Sequence, residues 1–368
     1  MKICFVIPTL SGGGAERVAV TVLSALDRHE RVLYLFSGEN AVYLDRVGPG
    51  VRVVVAKSQW WTGRMRELAA FLRGFNPDIV MPFLSYFITA IAVRVAGVRS
   101  IVIFNQGTPT SGFLGDADFG WRQPWRRRLF AAMTRFFYRR ADAIVATSRG
   151  VADDLTANYG VPAARIRVLH NPVDLDLIAL QAAEPIAPEL DGDRPVVAAA
   201  GRLAGVKNYP LLIAAIAELK ISTPVHVWIL GDGAERERLE TLAKERGVGS
   251  LVRFLGFQQN PWRYIARADV FALTSTYEGF GNVVIEAMAC RTPVVATTSP
   301  GTTEIIDDGR NGRLVDHDAR SIAEAIAELL TNRGKRDALV ARAAEGAAQY
   351  ALPAVAARYD RLFEELTA

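Results

Sequence analysis

Cysteine is scarce in this chain, with only Cys4 and Cys290 among 368 residues. Two thiols without framework spacing exclude a disulfide scaffold, and both are expected to be buried free thiols in a reducing cytosol. Long apolar runs are missing as well. No uncharged stretch reaches the roughly 18 residues that a membrane-spanning helix needs. The opening Met1–Pro8 segment reads as a short strand, without the length or cleavage site of a secretory leader. The expectation is a soluble protein, cytoplasmic or peripheral on the inner face of the membrane. Internal repeats and low-complexity tracts are absent, which leaves solenoids and disordered tails aside. Neither sign of charge dominates: the net charge is +4, with 22% of residues charged and half hydrophobic, a globular composition.

What the chain does have is alternation. Short β-branched runs at 2–8, 31–37, 51–56, 78–84, 100–105, 143–147 and 165–169 are separated by longer helical patterns. The same rhythm continues at 195–200, 225–230, 251–255, 269–274, 293–297 and 312–315. It predicts an α/β fold of parallel sheets with crossover helices. The length suits two domains of about 170 residues, each with its own core. Ala182–Pro195, rich in proline and acid, reads as a surface linker and puts the boundary near 172–194.

The most informative stretch is Glu278-Gly-Phe-Gly-Asn-Val-Val-Ile-Glu286. Two carboxylates straddle a glycine turn that follows the apolar strand Asp269–Ser275 and opens a helix. The turn and first helical positions, Phe280, Gly281, Asn282 and Val283, bring backbone N–H groups and the positive end of the helix dipole toward a phosphate. Glu278 lies outside the helix and Glu286 one turn inside, leaning back toward its start. Carboxylates repel phosphate but accept hydrogen bonds from hydroxyls. Phosphates in the middle and hydroxyls at both ends describe a nucleotide sugar.

Further motifs follow in order: Gly12-Gly-Gly-Ala-Glu-Arg17, Ala141–Ser148, Asn171-Pro-Val-Asp174, Gly201-Arg-Leu203 with Lys207-Asn208, and Leu230-Gly-Asp-Gly233. Together with the paired glutamates, this ensemble resembles the retaining glycosyltransferases of family 4 over nearly the whole chain. The resemblance implies a GT-B fold, in which two Rossmann-like parallel-sheet domains face each other across a cleft. Residues 1–172 would form the acceptor-binding domain, joined by a returning C-terminal helix at 354–366. Residues 173–353 would bind the nucleotide sugar, UDP-linked by preference and GDP-linked as the alternative. The family's diphosphate-binding arginine and lysine fall on Arg202 and Lys207, where two cations suit a leaving diphosphate. Glu278 would orient the transferred sugar and Glu286 the ribose. The acceptor expected is a lipid-linked or cell-envelope glycan.

Other readings stay open beside these. Gly13 and Gly14 follow the first strand and either contact the donor's distal phosphate or sugar, or simply turn the chain. A dinucleotide fingerprint fails here, because its third glycine position holds Arg17. Gly231 ends a strand on the edge that holds the base in the family, and Phe257 lies either near that base or in the core. Many family members carry a histidine after the fifth strand, where this chain reads Phe104-Asn-Gln-Gly-Thr108. Asn105 or Gln106 would then meet sugar hydroxyls. His170 is expected to be structural. Asp116/Asp118, Asp174/Asp176, Asp191/Asp193 and Asp316/Asp318 read as solvated turn acids, so neither a metal nor another cofactor is expected, although Asp116 or Asp118 could assist the acceptor.

The acceptor signal is basic and aromatic. Seven arginines and six aromatics crowd Trp121–Arg140, and Gln59–Arg66 adds two tryptophans and two arginines. Such mixtures suit an anionic membrane surface, or a surface helix with a core-facing aromatic stripe. No recognition fold accompanies them, so nucleic acid is not an expected partner. A nucleotide-sugar epimerase of the same fold, a dinucleotide-dependent oxidoreductase and a non-catalytic scaffold are the competing functions.

Overall fold

The computed structural model describes all residues except 116–122, 188–189, 191–193 and 221–222. The chain divides into two compact units. The first holds Met1–Leu114, Trp121–Pro172 and the C-terminal Tyr350–Ala368, and the second holds Val173–Gln349.

In the first unit seven strands form one sheet: β1 (Lys2–Ile7), β2 (Glu30–Leu35), β3 (Val51–Val55), β4 (Ile79–Pro82), β5 (Ile101–Gln106), β6 (Ala143–Ala146) and β7 (Ile166–Val168). Their order is β3-β2-β1-β4-β5-β6-β7 and every pairing is parallel. Period-two alternation sorts β1 between two cores. Ile3, Phe5 and Ile7 pack with Val18, Leu23 and the C-terminal helix Leu352–Thr367, while Cys4 and Val6 pack with Leu68, Leu72 and Ala92 on the other face. The C-terminal helix places Val355, Tyr359 and Phe363 in the first core, all of them fully buried.

The second unit repeats the plan with β8 (Val196–Ala200), β9 (His226–Leu230), β10 (Val252–Gly256), β11 (Val270–Leu273), β12 (Val294–Thr297) and β13 (Arg313–Val315). The order is β10-β9-β8-β11-β12-β13, again parallel throughout. Its largest core joins Val197, Ala199, Val227, Ile229 and Ala272 to Leu212, Ile216, Ile322 and Ile326. In both sheets the direction of winding reverses beside the first strand, between β1 and β4 and between β8 and β11. The carboxyl ends of such neighbours are where open α/β sheets bind ligands. Gly12–Gly14 follow β1, Arg202 and Lys207 follow β8, and Glu278 follows β11.

The returning helix is structural to the first core. Phe363→Ala should cost about 3–5 kcal/mol, measured as a lower unfolding midpoint of the full-length protein.

Candidate active site

After β8 the chain makes a short 3-10 turn, Gly205–Lys207, before the Tyr209–Leu219 helix. Two hydrogen bonds bind this loop to the segment after β11: Thr276 N–H donates to Val206 O at 2.8 Å, and the Thr274 hydroxyl donates to Lys207 O at 3.0 Å. The loops being fixed, the side chains meet. Lys207 Nζ donates to Glu278 Oε1 at 2.6 Å, and the Ser275 hydroxyl donates to the same oxygen at 2.6 Å. Lys207 and Glu278 are both mostly buried, with side chains 20% and 13% exposed. The cation and carboxylate assigned to separate roles from sequence thus form one ion pair. Arg202 is exposed, and its guanidinium has no partner among the described residues. Nearby, Tyr209 donates its hydroxyl proton to Gly201 O at 3.0 Å. Burial, and then the Glu278 charge, push the Tyr209 pKa upward.

Gly281 adopts a left-handed conformation (φ 91°) and starts the Asn282–Ala289 helix. Val284 N–H closes on Gly281 O at 2.9 Å, while Asn282 and Val283 sit too early for intrahelical acceptors. Phe280 is buried at 2% exposure and anchors the turn. Glu286 is buried as well, and its Oε2 accepts the indole N–H of buried Trp262 at 2.8 Å. Trp262 had no signal in the periodicity, because its contact joins a four-residue helix, Trp262–Ile265, to a distant one. Gly301 was also missed. A Cβ there would lie 2.8 Å from Glu278 O and 2.9 Å from Phe280 Cα, so only glycine lets the β12 loop support the Glu278 turn. Gly231 is constrained in the same way: its Cβ would meet Gly201 O at 2.0 Å. Phe257 is 46% exposed beyond β10, so it is not a core residue.

In the first unit two of the expected contact residues have partners within the protein. Gly12 and Gly13 N–H both donate to Glu16 Oε2, at 2.8 and 3.0 Å, while Thr9 and Ser11 hydroxyls reach its other oxygen. The glycine loop therefore cradles the protein's own carboxylate, and the Gly13 amide is not open to a phosphate. Glu16 stands at the capping-box spacing from the helix start, which was readable from sequence. The amides of Gly14 and Ala15 have no partner among the described residues. Gln106 is likewise committed. Its Oε1 accepts from Tyr138 at 2.5 Å, and its Nε2 donates to Thr108 O and Thr110. Asn105 Nδ2 donates to the Tyr359 hydroxyl at 3.1 Å. Both ends of the Gln106 amide are thus paired within the core, while Asn105 has its Nδ2 paired.

His170 packs edge-on against the Tyr350 ring, with centroids 5.4 Å apart. Asp174 and Asp318 cap helices by accepting from Leu177 N–H and Ser321 N–H. Asp116, Asp118, Asp191 and Asp193, with Trp121 and Arg122, lie outside the described residues. Among the described residues no group of three or more His, Cys, Asp or Glu side chains could hold a metal ion. No helix among them is long and apolar enough to cross a membrane. The Pro124–Tyr138 helix turns Thr134 and Tyr138 inward, yet Trp125, Leu129 and Phe136 are more than half exposed beside Arg126, Arg127 and Arg128. Trp60 and Trp61, at the start of the Trp61–Phe75 helix, are exposed at 79% and 64%.

Family comparisons match both units. Residues 12–177 match the Glycosyltransferase Family 4 profile, and residues 181–346 match Glycosyl transferases group 1. A Campylobacter jejuni relative is 30% identical over 329 residues, 86% of each chain. Its name is N-acetylgalactosamine-N,N'-diacetylbacillosaminyl-diphospho-undecaprenol 4-alpha-N-acetylgalactosaminyltransferase. The chain belongs to the family 4 glycosyltransferases. A lipopolysaccharide core biosynthesis glycosyltransferase of Rhizobium meliloti is 36% identical, over 57% of this chain and 60% of its own length. The fold matches Anabaena HepE in complex with UDP-glucose, with a TM-score of 0.83 and 21% identity over 99% of this chain and 100% of that one. It also matches WaaG, a glycosyltransferase involved in lipopolysaccharide biosynthesis, with a TM-score of 0.75 and 19% identity over 98% of this chain and 99% of that one. The fold is GT-B.

The close contact at Gly301 predicts a contrast. Gly301→Ala should cost about 1–3 kcal/mol by overpacking. Gly346→Ala, in a helix with only an ordinary contact at 3.8 Å, should be neutral or stabilising by up to about 1 kcal/mol. Thermal unfolding of the two variants distinguishes them.

Proposed function

We propose that this glycosyltransferase moves a sugar from a nucleotide-diphosphate sugar, UDP-linked by preference, to a lipid-linked or cell-envelope glycan with retention at the anomeric carbon. The observation that carries the reading is the Lys207–Glu278–Ser275 cluster, standing beside exposed Arg202 and the Asn282 helix start at the winding reversal of the second sheet. The UDP-glucose complex of HepE and the undecaprenol-linked substrate in the Campylobacter enzyme's name support the donor and acceptor classes.

Arg202, Lys207 and the first amides of the Asn282 helix stabilise the diphosphate as its charge grows, the kind of preorganised electrostatic help that lowers barriers most. Glu278 accepts from hydroxyls of the transferred sugar and Glu286 from those of the ribose. The acceptor oxygen forms a bond to the anomeric carbon on the leaving-group face. The bond from that carbon to the phosphate oxygen breaks, and the departing oxygen takes the acceptor's proton. Protein cations meet the diphosphate charge, so turnover needs no metal.

The Trp61–Phe75 and Pro124–Tyr138 helices flank the Tyr86–Ala96 helix. Their exposed tryptophans and arginines support a reading in which the first unit lies on anionic lipid, with aromatic rings at the interface and cations on headgroups.

Two measurements check this. Nucleotide release from a panel of nucleotide sugars, with and without polyprenyl-linked glycan, should be fastest with a UDP-sugar plus acceptor and unaffected by excess chelator. Activity lost to chelator and restored by magnesium would require a metal. In sedimentation with phosphatidylserine vesicles, replacing Arg126, Arg127 and Arg128 by glutamine should weaken binding by about 1 kcal/mol per residue. Partition unchanged by these substitutions or by salt would sink the membrane reading.

A further inference from the structure

Glu286 sits where open water does not reach it, at 3% exposure. A carboxylate so placed needs donors built around it, because an unsatisfied buried polar group is costly. One donor is the Trp262 indole, 2.8 Å from Oε2. An indole N–H only donates, so the sense of this bond is fixed. Its carrier is also fixed. Asn260 Nδ2, two residues earlier, donates to Gln181 O at 2.8 Å and to Glu184 Oε2 at 2.9 Å. At the other end of the short helix, the Thr292 hydroxyl donates to Ile265 O at 2.7 Å. The Cys290 thiol, one turn beyond Glu286, lies 3.8 Å from Trp262 O. The short helix that carries the indole is thus held at both ends, and the indole N–H meets Oε2 of Glu286.

We infer that Trp262 is a positioning residue for donor binding, its indole N–H orienting Glu286 toward the ribose hydroxyls. The inference rests on the nucleotide-sugar reading of Glu286. An oriented carboxylate loses less freedom when the ligand arrives. The ribose changes little during the reaction, so the benefit falls on binding rather than on the chemical step.

Isothermal titration of the full-length protein with UDP, paired with donor kinetics, provides the test. Trp262→Phe removes the N–H and keeps an aromatic ring. It should raise the UDP dissociation constant and the donor KM on the order of tenfold, with kcat within about twofold. Trp262→Phe combined with Glu286→Gln should bind no worse than Glu286→Gln alone, the signature of two groups acting as one. Parent-like UDP binding by Trp262→Phe, or penalties that simply add, would overturn the positioning role. If Glu286→Gln itself binds UDP like the parent, the ribose assignment falls and the inference with it. Should Trp262→Phe not fold, the parent protein labelled with 15N at its six indoles offers a second readout. One indole N–H resonance should move both in Glu286→Gln and on saturation with UDP. An indole that moves in Glu286→Gln and ignores UDP would overturn the inference.

Discussion

Contact between backbones at the carboxyl edge of the second sheet is the constraint on which the site rests. The loops after β8 and β9 touch at Gly201 and Gly231, and those after β11 and β12 touch at Glu278, Phe280 and Gly301. No side chain separates them, so each loop takes its position from its neighbour. Threonine hydroxyls and amides then lock the β8 loop to β11. Only with those distances set can Lys207 reach Glu278 at 2.6 Å. A part-buried ion pair of this kind contributes little net stability, since desolvation offsets most of the attraction. Its value here is geometric.

Carboxylates organise both units, and each is surrounded by donors of a different kind. Glu16 is met by two amides and two hydroxyls of its own loop. Glu278 is met by an ammonium and a hydroxyl, and Glu286 by an indole. The difference sets what each can do. Glu16 is spent on the helix start. Glu278 stays partly open to solvent. Glu286 is enclosed, so a hydroxyl that reaches it bonds in a low-dielectric setting, where such bonds are stronger. Burial, and then the Glu286 charge, also raise the neighbouring Cys290 thiol to about 12, which keeps it protonated and unreactive at neutral pH.

The thirteen strands and their parallel pairing were legible because buried parallel strands leave unbroken β-branched runs. The Glu278–Glu286 turn was legible for a similar reason, being local in sequence. What escaped was of two kinds. Trp262 and Gly301 act on residues 24 and about 20 positions away, through contacts that only the folded sheet creates. Gln106 and Gly13 have chemistry suited to a ligand, and folding gives each a partner that the sequence reading left out: Tyr138 and Thr110 for one, Glu16 for the other. Tyr138 lies 32 residues on, at the end of the Pro124–Tyr138 helix, and could not be foreseen. Glu16, three residues on from Gly13, could have been.

The return of the chain's end to its first unit has a consequence for synthesis. Domains usually fold as they leave the ribosome, N-terminal first. Here the Leu352–Thr367 helix supplies Val355, Tyr359 and Phe363 to the core around β1. All of Val173–Gln349 is translated before that helix exists. The second unit therefore has its complete sequence while the first still exposes the apolar groove meant for its final helix. The order of completion runs opposite to the order of translation, and the growing chain must keep that groove from other partners until the Leu352–Thr367 helix emerges.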